Sequence, residues 1–151
     1  MTQDKIETID EPYQGSCTQA TAKNKELILK LVEEGWRPYM YREVCSPDYT
    51  MHYGGVEVDL QNVIDFMDSM HTALPDLKFI PEDIIAEGNK VVTRWTAYGT
   101  HRAKFQGIFP TNKQVVFTGI TISRIENGKI VEDWEEVDQL NFTQQFGAFP
   151  E

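Results

Sequence analysis

Hydrophobic residues recur at three- and four-residue intervals in the first half of the chain and at alternate positions in the second, so helices are expected before strands. Leu27, Ile28, Leu31, Val32 and Trp36 fall on one face of a helix that Asn24 can cap and Gly35 ends. Residues 39–44 suit a short second helix, and Ser46-Pro47-Asp48 reads as a turn. Residues 49–53 read as a short strand presenting His52, broken by Gly54-Gly55. Asp59 can cap a further helix with Val63, Phe66, Met67 and Met70 as its buried stripe and Pro75 at its exit. Beyond Pro75 the period becomes extended. Residues 83–86, 90–100, 103–105, 115–125 and 129–138 read as strands, separated by Glu87-Gly88-Asn89 and Pro110-Thr111-Asn112. Residues 141–146 close the chain as a helical or irregular segment.

This order predicts an α+β domain in which a curved antiparallel sheet wraps around the N-terminal helices as a cone and can enclose a pocket. Residues 1–20 are polar and aperiodic and read as a flexible leader, leaving one domain over 21–151. At 151 residues the chain is long enough to bury its own core. Its net charge of -10 argues against nucleic acid and anionic membranes as partners, since both are polyanions. Neither a membrane-length apolar run nor a secretory signal is present, so a cytoplasmic protein is expected, with Cys17 and Cys45 as free thiols.

The chemistry is concentrated around one hairpin. Two runs rich in β-branched residues flank Glu126-Asn127-Gly128, and the second carries Glu132, Asp133, Glu135, Glu136 and Asp138 around Trp134. Neighbours on a strand point to opposite faces, so some of these carboxylates must point where the apolar residues point. Register decides which. A two-residue turn at Asn127-Gly128 puts Thr121 and Glu135 on opposite faces, whereas a three-residue loop with a bulge at Gly128 puts them on the same one.

Five segments in order, SPDYTMH (46–52), LPDLKF (74–79), YGTHRAKFQGIFPTNK (98–113), RIENGKIVEDW (124–134) and QQFG (144–147), resemble the SnoaL-like polyketide cyclase family. The resemblance implies the nuclear-transport-factor-2-like cone, a small-molecule cavity, and a homodimer or higher homo-oligomer. It also implies a general-base aspartate on the last strand, assisted by a histidine on the strand before. Aligned through RIENGKI, those positions carry Glu135 and Thr121, and the family's GTHxG glycine is Ala103. Placing both side chains on one face favours the three-residue loop.

Glu135 is accordingly the first candidate general base, because a carboxylate walled by aromatic side chains loses hydration and gains proton affinity. Asp133 shares its parity and is the second. His52 and His101 sit in matched motifs and can donate to a substrate carbonyl. Tyr53, Trp95, Phe105, Thr121, Trp134 and Asp138 are the candidate substrate contacts. The competing reading makes residues 132–136 a solvated strand face, the histidines structural and the aromatics plain core. His71 lies outside every motif and is assigned no function. The three histidines lack metal-ligand spacing, so no metal and no cofactor is expected. Together these features predict a cofactor-independent cyclase- or isomerase-type enzyme acting on a small apolar carbonyl compound. The alternative is a non-catalytic binding or assembly module of the same fold.

Overall fold

The structure, a computed structural model, describes residues 19–147. The leader expected over residues 1–20 lies outside them except for Gln19 and Ala20, which open helix α1 (Gln19–Glu33); Cys17 also lies outside. Asn24 is therefore inside a helix and not its cap. The helix starts earlier because Thr21 is buried and its hydroxyl donates to the Gly88 carbonyl at 3.2 Å, anchoring the first turn on a distant hairpin. Gly35 ends the helix as expected, taking φ +81 while its amide donates back to the Val32 carbonyl.

Helix α2 spans Pro38–Val44 and α3 spans Leu60–Ala73, the latter capped by the Asp59 carboxylate, which accepts from the Asn62 amide at 2.9 Å. Ser46-Pro47-Asp48 is not a turn but lies inside strand β1 (Cys45–Tyr53), whose register against its neighbour slips between Cys45 and Thr50. Gly54-Gly55 does more than break a strand. Both glycines have positive φ and join Tyr53 to Val56 as a tight hairpin into an unpredicted strand, β2 (Val56–Asp59). Strands β3 (Lys78–Glu87), β4 (Lys90–Thr100), β5 (Gln114–Glu126) and β6 (Lys129–Val137) follow, then helix α4 (Gln139–Gln145). β3 is longer than predicted because Pro81, an apparent breaker, sits on an edge strand beside a register shift. Residues 103–105 form no strand, only an isolated bridge from Phe105 to Ile108.

The sheet runs β2-β1-β6-β5-β4-β3. It is mixed and not purely antiparallel, because β1 lies parallel to β6 and the other neighbours are antiparallel. Alternation along β5 sends Val115, Phe117, Gly119, Thr121, Ser123 and Ile125 inward and leaves Val116, Thr118 and Ile120 exposed. The inner face is covered by α1, through the buried Ile28, Leu31 and Val32, and by α3, through Val63, Met67 and Met70. Cys45 is a buried free thiol within this core.

Gly119 in β5 is required by packing. A Cβ there would stand 2.3 Å from Cζ2 of Trp95, its cross-strand partner, and the rigid indole cannot fold aside. Gly119→Ala is expected to cost about 1 to 3 kcal/mol by overpacking. Thermal melts should place its Tm several degrees below wild type; an unchanged Tm would mean that Trp95 has room to move.

The β5–β6 hairpin corrects the expected loop while keeping the expected facing. Glu126 pairs with Lys129, so the turn has two residues, Asn127 and Gly128, at φ 50 and 75. The bulge lies further on: Ile125 pairs with Ile130 but Arg124 pairs with Glu132, leaving Val131 as the extra residue. That insertion restores equal parity, so Thr121 stands opposite Glu135 and Ser123 opposite Asp133.

Candidate active site

All six strands and helices α2, α3 and α4 contribute to the cavity. β1 turns Met51 and Tyr53 inward, β6 turns Asp133, Glu135 and Val137, and β5 supplies Phe117 and Thr121, while Val63, Phe66, Met67 and Met70 of α3 close the opposite side. The enclosed space is about 270 Å³. Its walls are aromatic and aliphatic, and among the described residues no Lys, Arg or His lines it. Asn62 is exposed, and Tyr53 and Val58 partly so, although all three line the cavity; the mouth therefore lies between the β1–β2 hairpin and the first turn of α3.

Trp95 forms the floor, with Phe79 and Phe117 edge-on to it at centroid distances of 5.2 and 6.0 Å. Its indole N–H donates to Thr121 Oγ1 at 3.0 Å, and that hydroxyl donates onward to Glu135 Oε1 across a longer 3.4 Å. The relay orients the carboxyl group without neutralising it. Glu135 is partly accessible where it lines the cavity, yet protein atoms crowd it closely enough that burial pushes its pKa up to about 7. The negative charge of Asp133 adds to the rise, and the Thr121 hydroxyl opposes it.

Asp133 sits deeper, 1% exposed, and accepts a hydrogen bond from the Tyr49 hydroxyl at 2.6 Å. Burial raises its pKa to about 6, while the Ser123 and Tyr49 hydroxyls pull it back. Its second oxygen, Oδ1, and the Ser123 hydroxyl across the strand are near enough for that pull but lie outside hydrogen-bonding geometry, and neither has another partner among the described residues. Two carboxyl groups on one strand face thus share a poorly solvated space, a setting that separates an acid from a base near neutral pH.

Of the ten residues singled out from the sequence, the cavity brings together Glu135, Asp133, Tyr53, Trp95 and Thr121. The other five lie outside its lining. His52 is on the outer sheet face, bonded through Nε2 to Glu132 at 2.6 Å and stacked on Trp134 at 5.3 Å. Trp134 shares that face, under the Lys90 ammonium. His101 is fully buried, with Nδ1 accepting from the Thr111 amide and its ring against Phe146. Phe105 belongs to an aromatic cluster with Phe142 and Phe146. Asp138 caps α4, its carboxylate accepting from the Asn141 amide at 3.2 Å. Sequence reasoning missed Tyr41, Tyr49 and Asn62. The signal for Tyr49 was present, since Tyr49, Met51 and Tyr53 share one strand parity.

The family model for SnoaL-like polyketide cyclases matches residues 27–146, from the first core helix through α4. The chain belongs to this family. No curated protein sequence matches it significantly. Among solved structures, this SnoaL-like chain is similar to AclR of Streptomyces galilaeus, assigned as a hydroxylase, with 28% identity, a TM-score of 0.78, and coverage of 86% of this chain and 99% of that one. IdmH of Streptomyces antibioticus, assigned as a polyketide cyclase, is 27% identical at a TM-score of 0.70, covering 82% and 98%. A protein from Jannaschia sp. CCS1, assigned as a SnoaL-like polyketide cyclase, shares the fold at 23% identity and a TM-score of 0.78, covering 88% of this chain and 97% of that one. In this SnoaL-like domain, the positions where the sequence resemblance places the family's aspartate and histidine are Glu135 and Thr121, which are cross-strand partners in contact.

Proposed function

We propose that this SnoaL-like protein abstracts a proton next to the carbonyl group of a small, uncharged, largely apolar compound of polyketide, terpenoid or steroid type, with Glu135 as the base. The observation that carries the reading is the Glu135 carboxylate, set in an apolar cavity with its proton affinity raised to about 7. A base poised there is half ionised at neutral pH and strong enough to take a proton from carbon activated by a carbonyl. The C–H electron pair moves onto the carbonyl oxygen as an enolate, and the proton rests on Glu135. The enolate carbon then attacks a second carbonyl carbon of the same molecule, closing a ring as that C=O π pair moves onto its oxygen and takes the proton held by Glu135, or the enolate takes that proton back at another carbon, completing an isomerisation.

A lining without a cationic side chain among the described residues favours an uncharged substrate over a free acid or a phosphorylated one. The proposal includes a homodimer, for which Ile80, Val116 and Ile120 provide exposed apolar contacts on the outer sheet face. A second reading, a binding module without chemistry, draws on the threonine at position 121, since a hydroxyl cannot carry the charge that an imidazole can.

Incubation in D2O with a panel of neutral aromatic ketones separates the two. Protein-dependent deuterium uptake at the carbon next to the carbonyl, read by mass spectrometry, is expected from the enzyme. Ligands that bind and emerge unlabelled at the solvent rate would favour the binding module.

A further inference from the structure

The sheet supplies the base, but above about pH 6 its other carboxyl group, Asp133, is itself ionised and cannot hold the oxygen that becomes negative. Thr121 cannot serve, because its hydroxyl proton is directed at Glu135 and its oxygen accepts from Trp95. His52 and His101 are outside the lining. The hydrogen-bond donors left in the cavity are the Tyr41 and Tyr53 phenols, the Asn62 amide and the indole N–H of Trp36, a weaker donor than a phenol. Asn62 already donates to Asp59 at 2.8 Å and, like Tyr53, stands at the mouth.

Tyr41 differs from both. It projects from α2 and is 4% exposed, with its ring packed against Trp36 at 5.8 Å. Its hydroxyl has no hydrogen-bond partner among the described residues, yet the atom is not sealed off. Tyr41 lines the cavity, and its hydroxyl is within electrostatic reach of Glu135 and Asp133, which line it too. A buried phenol without a partner is costly to keep unless something it binds completes the bond. Asp133 and Glu135 are near enough that their charges, after burial itself, suppress its ionisation, so it remains an O–H donor.

On this basis, and resting on the carbonyl chemistry proposed above, we propose that Tyr41 is a catalytic residue of this site, donating its hydroxyl proton in a hydrogen bond to the substrate carbonyl oxygen and to the enolate that replaces it. The base then works from the sheet and the donor from the helix layer. The strengthening of that bond as charge develops is what speeds the reaction. No covalent change occurs at Tyr41.

The test uses 2-acetylnaphthalene with a ¹³C-labelled carbonyl, a flat neutral ketone, bound to the whole chain at pH 9. Both carboxyl groups are ionised there and cannot donate. The bound carbonyl stretch is expected at lower frequency than in an apolar solvent. Tyr41→Phe should abolish that displacement, weaken binding by about 2- to 10-fold for one lost hydrogen bond, and leave Tm unchanged because the hydroxyl has no protein partner to lose. Tyr53→Phe should keep the displaced band. A displaced band that survives Tyr41→Phe, or a Tm that falls by many degrees in that variant, overturns the assignment of Tyr41. Failure of the wild-type protein to bind the ketone at all overturns the proposed function instead, so the two failures are distinguishable.

Discussion

Glu135→Gln is expected to slow protein-dependent deuterium uptake into a turned-over ketone by about 10²- to 10⁴-fold, the usual contribution of a positioned general base. The substitution is close to isosteric and keeps a carbonyl oxygen to accept from the Thr121 hydroxyl, so the relay from Trp95 can survive. What disappears is the capacity to take a proton. In the wild type the rate should climb with pH and level off above about 7, where Glu135 is ionised; in the variant that limb should be absent. Asp133→Asn provides an internal control. The Asp133 charge is one cause of the raised Glu135 pKa, so its removal should move the wild-type limb to lower pH without erasing it. An undiminished rate in the Glu135→Gln variant would exclude Glu135 as the base.

The second large effect is on stability, with the opposite sign. Glu135 and Asp133 both hold protons more tightly in the folded protein than free carboxylates do, with pKa values raised from 4.5 to about 7 and from 3.8 to about 6. Their stabilising contribution is therefore complete below about pH 4 and is lost as pH rises through 6 and 7, because ionisation forces charge into an apolar space. At about 1.4 kcal/mol per pKa unit, the loss is about 3 kcal/mol for either group at pH 8. Glu135→Gln, which cannot ionise, should therefore be more stable than wild type by about that amount at pH 8 and nearly equal to it at pH 4. Urea unfolding at the two pH values measures the difference directly. The variant predicted to lose catalysis is thus predicted to gain stability, the trade expected where an active site stores unfavourable electrostatics. Coincident unfolding curves at pH 8 would mean that Glu135 is solvated normally.

Much of the architecture is written in hydrophobic periods. The stripe of α3, the Asp59 cap, the ends of β4 and the long alternation of β5 all follow from local sequence and recur in the fold. Contacts made at long range were not legible. Thr21 bonding to Gly88 extends α1 beyond the point where local capping would start it, and the edge position of β3 lets Pro81 stay in a strand. The parallel pairing of β1 with β6 joins segments far apart in the chain, so nothing local announces it.

The site repeats this division. Equal parity of Thr121 and Glu135 was reached through the wrong device, a three-residue loop, whereas the chain uses a tight Asn127-Gly128 turn and a bulge at Val131. A bulge has no reliable local signature, because it is chosen by what the partner strand and the core require. Strand alternation alone, applied strictly, separates His52 from Tyr53 and Trp134 from Glu135, since adjacent residues cannot face one cavity. Tyr41 was invisible for a different reason: on a short amphipathic helix an aromatic residue reads as core, and only tertiary packing reveals that its hydroxyl is left without a partner.

The proposed chemistry requires that β6 hold a carboxyl group in an apolar cavity as a base working near neutral pH. Titration of the side-chain carboxyl carbons by ¹³C NMR in protein labelled at glutamate, with Glu135→Gln identifying the resonance, measures that property in isolation. A midpoint near 7 for Glu135 is the expected result. A midpoint near 4.5, the ordinary value for a glutamate in water, would contradict it.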